Sequence, residues 1–132
     1  MADPVDLEIA EILYESGAVK FRYARVLSPD RTRWIRHGLF VAYDDAGAVV
    51  SQGQYVEGKE EGLWRDFYPD GQPAAEGRYQ KGLEVGVWRH WSADGTEEPS
   101  TDHGRGRDAF NIRTHRNSPT DATSKRPLAS AP

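Results

Sequence analysis

Glycine recurs every 24 residues along the middle of this chain, and this period constrains the fold more than any other feature of the sequence. Ten of the thirteen glycines follow it. The aromatic residues follow the same period in three columns, which are Phe40–Trp64–Trp88, Tyr43–Phe67–Trp91 and Tyr55–Tyr79. A fixed period of about 20 to 50 residues is typical of repeat proteins, in which each unit packs against its neighbours.

The pattern inside each unit predicts a β-hairpin. Residues 63–68 are rich in aromatics and too few for an ordinary helix, and they end at Pro69-Asp70-Gly71, a sequence that favours a turn. Residues 74–79 then form the return strand, and further glycine-containing turns lead into the next unit. Because one hairpin is marginal in water, we expect an all-β antiparallel meander of stacked hairpins.

The unit Gly-x-Tyr-x-x-Gly-x-x-x-Gly-x-Trp-x-x-Phe-x-x-Asp-Gly resembles the variant MORN repeat of bacterial proteins. Residues 53–64 and 77–88 are the two quoted instances, and the resemblance extends over residues 38–95. It implies a single-layer, twisted β-meander with its aromatic residues on one face. It implies no catalytic activity, since such repeats occur as interaction modules. Bacterial members of the variant class are often labelled antitoxin components.

Three segments are predicted from the repeat and the composition. Residues 1–37 form an N-terminal cap with a degenerate first repeat, in which the spacing from Gly17 to Gly47 is 30 residues and implies about six extra residues around positions 27–33. Residues 38–98 hold the 24-residue repeats. Residues 99–132 are polar and poor in apolar side chains, so we predict a disordered tail in which residues 108–113 are best suited to docking.

No constellation of residues indicates catalysis. The chain has no cysteine, and its histidines lack metal-ligand spacing on a shared element. The adjacent acids Asp44–Asp45 and Glu60–Glu61 lie in or beside turns and are interpreted as solvated carboxylates. We therefore predict a protein that is not an enzyme, with no catalytic residue, metal site or cofactor. The acidic N-terminus and the lack of a long apolar run favour a cytoplasmic protein.

The aromatic columns have two interpretations. Rigid amphipathic rings are common at binding hot spots, so the columns could line a groove for a partner. In a single-layer meander the same rings are also the available core. The predicted partner-binding set contains the aromatic residues Phe40, Tyr55, Trp64, Tyr79 and Trp88, together with the repeated arginines Arg65 and Arg89.

A basic block at residues 20–37 carries six cations against one acid, with aromatics between them. Its alternation is typical of a solvated strand face, whereas its composition also suits an acidic partner or nucleic acid. The predicted anion-binding set is Arg22, Arg33, Trp34 and Arg36. Residues 44–98 hold twelve acids against five bases, and this negative field argues against nucleic acid and phospholipid partners.

These observations favour a protein–protein interaction module, with an antitoxin or immunity-like role as one concrete version. The alternative is a protein that binds an anionic polymer or lipid through the basic block. An open meander also leaves an unpaired edge strand, so an edge-to-edge homo-oligomer is a further mode of association.

Overall fold

The computed structural model describes residues 7–105 and contains a single sheet of eight antiparallel strands. Each strand pairs with the next one in the chain, so the strand order equals the sequence order. The strands are β1 (Glu8–Leu13), β2 (Val19–Leu27), β3 (Trp34–Tyr43), β4 (Val49–Val56), β5 (Lys59–Phe67), β6 (Pro73–Gln80), β7 (Leu83–Trp91) and β8 (Glu97–Asp102). The predicted all-β, single-layer meander is confirmed.

Glycine occurs in two kinds of turn, those at the hairpin tips and those that connect one hairpin to the next. At each hairpin tip a glycine N–H donates to the carbonyl three residues earlier, as from Gly71 to Tyr68 at 2.8 Å. These tip glycines have φ values of 92 to 95°, which side chains with a Cβ rarely adopt. Between hairpins, Glu57-Gly58 and Lys81-Gly82 both have positive φ at each position, as in the type I′ turns that match strand twist.

The first unit is longer than the others because β2 and β3 are joined by a loop at residues 28–33. Ser28 and Asp30 organise this loop, since both accept hydrogen bonds from the backbone N–H of Thr32. Bonds from Ser28 and Thr32 to the Asp30 carboxylate lower its pKa to about 2. The predicted boundary between residues 37 and 38 falls inside β3, so the first hairpin belongs to the same continuous sheet.

A ladder of aromatic rings forms the core on one face of the sheet, called the inner face here. Successive ring centroids lie 5.1 to 6.0 Å apart, within the range favoured for aromatic pairs. The ladder consists of Phe21, Tyr23, Phe40, Tyr55, Trp64, Tyr79 and Trp88. Adjacent repeats therefore bury each other's rings, as expected for a repeat protein.

Each core tryptophan lies directly against a glycine on the preceding strand. A Cβ built on Gly53 would be 2.1 Å from Trp64 Cδ2, and one on Gly77 would be 2.1 Å from Trp88 Cδ2. The indole Nε1–H of Trp64 donates to the carbonyl of Gln54 at 3.1 Å, and that of Trp88 makes the equivalent bond one repeat later. Glycine is required here because the ring occupies the space of a side chain.

The end of the sheet differs from the predicted boundary of the tail. Residues 99–102 belong to β8, and His103 lies 24 residues after Tyr79, at the position of a ladder tyrosine. Its ring lies edge-on to Trp88 with centroids 6.3 Å apart, and its Nε2 is 3.4 Å from Glu84 Oε1. Residues 106–132, which include 108–113, lie outside the described residues.

Replacing a core tryptophan tests this arrangement. Trp64→Ala and Trp88→Ala should each lower the free energy of unfolding by about 3 to 5 kcal/mol, because each removes a buried ring and leaves a cavity. Urea denaturation measures the change. Leu39→Ala is the control, since Leu39 is exposed and should shift the midpoint little. Equal small losses in all three variants would contradict the stacked ladder.

Candidate functional site

The aromatic residues predicted to contact a partner belong to the core. All five are at most 2% exposed: Phe40, Tyr55, Trp64, Tyr79 and Trp88. Their rings therefore pack in the core and present no surface to a ligand. Of the predicted partner-binding set, Arg65 and Arg89 remain exposed at the protein surface. The sequence could not separate the two interpretations because one column of rings satisfies both.

The opposite face of the sheet, called the outer face here, carries an exposed apolar stripe. It consists of Leu39, Leu63 and Val87, which are 70%, 40% and 58% exposed. Each residue immediately precedes a buried ring of the ladder, and alternation along a strand therefore turns it away from the core. The stripe crosses β3, β5 and β7 at the 24-residue period. Sequence reasoning missed it, although the same period would have identified it.

Two equivalent grooves lie beside the stripe. The first has a volume of about 420 Å³ and is bounded by Leu39 and Leu63, with Gln54 and Arg65 in its lining. The second, of about 480 Å³, is bounded by Leu63 and Val87, with Arg78 and Arg89 at the corresponding positions. The repeat thus places similar side chains around two consecutive grooves that share Leu63.

A row of ion pairs accompanies the grooves. Arg65 and Arg89 lie on either side of Glu76, with nitrogen–oxygen distances of 3.4 and 3.7 Å, and Arg89 also contacts Glu97 at 3.1 Å. The hydrogen bond from Arg89 lowers the pKa of the Glu97 carboxyl. Exposed ion pairs stabilise a fold little, so both guanidinium groups can exchange these carboxylates for those of a ligand.

Glu60 is buried, so its interpretation as a solvated carboxylate is wrong. Glu60 is 4% exposed and Glu84, at the same position of the next repeat, is 3% exposed. They are buried because they pair in register with the ladder tyrosines Tyr55 and Tyr79 on the inner face. Arg36 stands at the corresponding position one repeat earlier, so charged residues form a column beside the aromatic ladder.

The predicted anion-binding residues divide into two places. Arg22 pairs with Glu11 at 2.7 Å on the outer face and is separate from the others. Arg33, Trp34 and Arg36 share a concavity of about 410 Å³ beside the loop at 28–33. Arg25 and Lys59 also line it, and the Arg25 guanidinium lies 4.1 Å from the Trp34 ring centroid. Lys59 was not predicted to line this concavity because its position there depends on the turn at Glu57-Gly58.

Within residues 7–105 no group of three or more His, Cys, Asp or Glu residues could hold a metal ion. His37 Nδ1 accepts the backbone N–H of Glu57 at 3.0 Å, and His90 lies 3.3 Å from the hydroxyl of Thr101. His115 lies outside the described residues. The part of the chain that the structure describes has no helix long and apolar enough to cross a membrane.

Comparison with known proteins agrees with the geometry. Residues 60–81, which run from the start of β5 to the turn after β6, match the family model of the MORN repeat variant. No curated protein and no solved structure is significantly similar to the chain. The match covers one hairpin, and the β3–β4 and β7–β8 hairpins repeat its tip glycine and ladder positions at the 24-residue period. Together these findings support a MORN-repeat protein.

Proposed function

We propose that this protein binds another protein through the outer face, with the apolar stripe as the centre of the interface and the arginines of the ion-pair row at its rim. MORN repeats are in general protein- or membrane-binding modules. The observation that carries the proposal is the exposure of Leu39, Leu63 and Val87 at equivalent positions of three units. An exposed apolar patch with a polar rim is typical of a protein interaction site.

The charge around the stripe favours a protein over a membrane surface. Residues 44–98 hold twelve acids against five bases, and Glu76 and Glu97 lie within the ion-pair row itself. Membrane surfaces that attract proteins electrostatically are anionic and would repel this field. A protein partner can instead offer both apolar side chains for the stripe and carboxylates for the arginines.

The acidic field also supports one specific version of this role. In an antitoxin or immunity-like function, the acidic sheet would occupy a basic site on its partner. Opposite net charges accelerate such encounters and disfavour wrong partners.

Capture of a partner from the native host tests the outer face. We expect Leu63→Ser/Val87→Ser to reduce the amount of any stoichiometric protein partner at least about tenfold, because two interface side chains lose their apolar contacts. Ile9→Ser is the matched control, since Ile9 on β1 is 59% exposed and lies outside both grooves. Undiminished capture by the double variant, or equal loss in the control, would contradict the proposal.

A second candidate function is the binding of an anionic polymer or lipid in the concavity beside the loop at 28–33. The concavity brings together Arg25, Arg33, Arg36 and Lys59 with Glu57 as its acidic residue, and Trp34 adds an aromatic surface. Four cations around one shallow site can contact several phosphate or sulfate groups at once.

Heparin chromatography tests this second function. Arg33→Ser/Lys59→Ser should elute at a lower salt concentration than the unaltered protein, because two of the four cations are lost. Lys20→Ser/Arg31→Ser removes the same charge outside the concavity and should elute close to the unaltered protein. If both double variants elute at an equally lowered salt concentration, the protein is retained on heparin by the overall positive charge of the basic block, and the concavity is not a specific site.

A further inference from the structure

The two edges of the sheet differ in how well they are protected against pairing with another strand. At one edge, every residue of β8 is exposed, and the strand contains Pro99 and three acids. Proline and charge are both devices that keep an edge strand unpaired. At the other edge, β1 has no proline and is apolar on both faces. Ile9 and Leu13 are more than half exposed on the outer face, and Ala10 and Ile12 pack against the end of the ladder.

The charges of β1 do not protect its edge. Its two acids, Glu8 and Glu11, are paired with Arg25 and Arg22 on β2 at 2.6 and 2.7 Å. Charged residues on an edge strand act by repelling a second strand. Here each carboxylate has a guanidinium beside it, so most of this repulsion is compensated within the sheet itself.

The hairpin tip determines which backbone groups of β1 face the open edge. Both the N–H and the carbonyl of Tyr14 form hydrogen bonds within the tip, so they point toward β2. Backbone groups of successive residues point to opposite sides of a strand, and those of Ile9, Glu11 and Leu13 therefore point away from β2. No strand of the described residues 7–105 pairs with them, because β1 is the last strand on this side.

The sequence of this edge is complementary to itself when it is read in the opposite direction. Residues opposite each other in an antiparallel pair lie on the same face. Two copies of residues 7–13 satisfy this rule over their whole length only when they are centred on Ala10. The opposite pairs are then Leu7–Leu13, Glu8–Ile12, Ile9–Glu11 and Ala10–Ala10.

This register avoids the like-charge pairs that alternative registers create. Centring the two strands on Glu8 or on Glu11 would place two carboxylates directly opposite each other, which is destabilising. In the register centred on Ala10, each glutamate instead faces an isoleucine of the second copy. The central pair is one without mutual hydrogen bonds, where side chains come closest, and the small side chain of alanine fits that position.

We propose that the β1 edge binds a second copy of this chain through antiparallel pairing of β1 with β1, in the register centred on Ala10. The outward-pointing N–H and carbonyl groups of residues 7, 9, 11 and 13 would form about eight hydrogen bonds between the two copies. The pair is related by a twofold axis and is therefore closed. Pro99 and the acids of β8 disfavour the addition of a further copy at the opposite edge. This interface is separate from the outer-face stripe.

Sedimentation equilibrium of the full-length protein tests the pairing. We expect the mass to rise with concentration from 14.8 kDa toward twice that value, with no larger species. Ile9→Pro removes an N–H that points toward the second copy and leaves the bonds to β2 intact. It should weaken the dimer at least about tenfold and change the urea midpoint little. Leu63→Ser/Val87→Ser should dimerise like the unaltered protein, because both residues lie off β1.

Opposite charges at position 9 test the register. Ile9→Lys places an ammonium group opposite Glu11 of the second copy, whereas Ile9→Glu places a carboxylate there. Because Ile9 is exposed in a single copy, both variants should fold equally well. The glutamate variant should dimerise at least about tenfold more weakly than the lysine variant, since the charge pair occurs twice in the dimer.

Several results would overturn the inference. These are a single-chain mass up to millimolar concentration, species larger than a dimer, an undiminished dimer of Ile9→Pro, and equal dissociation constants of the two charge variants. If the unaltered protein stays monomeric while Ile9→Pro loses a captured host protein, the edge pairs with a different chain and self-pairing is wrong. None of these results bears on the outer-face proposal, which the capture experiment with Leu63→Ser/Val87→Ser tests separately.

Discussion

The packing of a tryptophan ring against the glycine of the preceding strand is the contact on which this structure depends. A single sheet has no second layer to cover its apolar face. Trp64 and Trp88 solve this problem by lying flat on Gly53 and Gly77 and donating their indole N–H groups to backbone carbonyls nearby. The rings of the ladder are thereby almost completely shielded from solvent within one layer. This burial stabilises the stacked hairpins, each of which would be only marginally stable alone.

Because the ladder buries its rings on one face, the other face is available for binding. The residue before each ladder ring, such as Leu39 before Phe40, is turned outward by the alternation of the strand. The 24-residue period that aligns the core therefore also aligns the apolar stripe, the grooves and the arginines.

The hairpins and their turns were predictable because glycine and aromatic residues mark them directly in the sequence. Strand β8 was not predictable, since its residues are all exposed and, apart from Pro99, polar. Its pairing with β7 uses backbone groups, which leave little trace in the composition. Burial of Glu60 was missed because a carboxylate beside a turn is ordinarily solvated, whereas here its register with Tyr55 turns it inward. Whether the rings form the core or a binding surface could be decided only from the ring contacts in the structure.

Hydrogen exchange of the tryptophan indole N–H groups, followed by NMR, tests the central claim most directly. The account predicts that the Trp64 and Trp88 signals persist for hours in deuterated buffer, because both groups are buried and donate to carbonyls at 3.1 Å. The indole of Trp34, whose residue is 40% exposed, should exchange within minutes. Equally rapid exchange of all three would show that the rings are open to solvent and that the closed ladder is wrong.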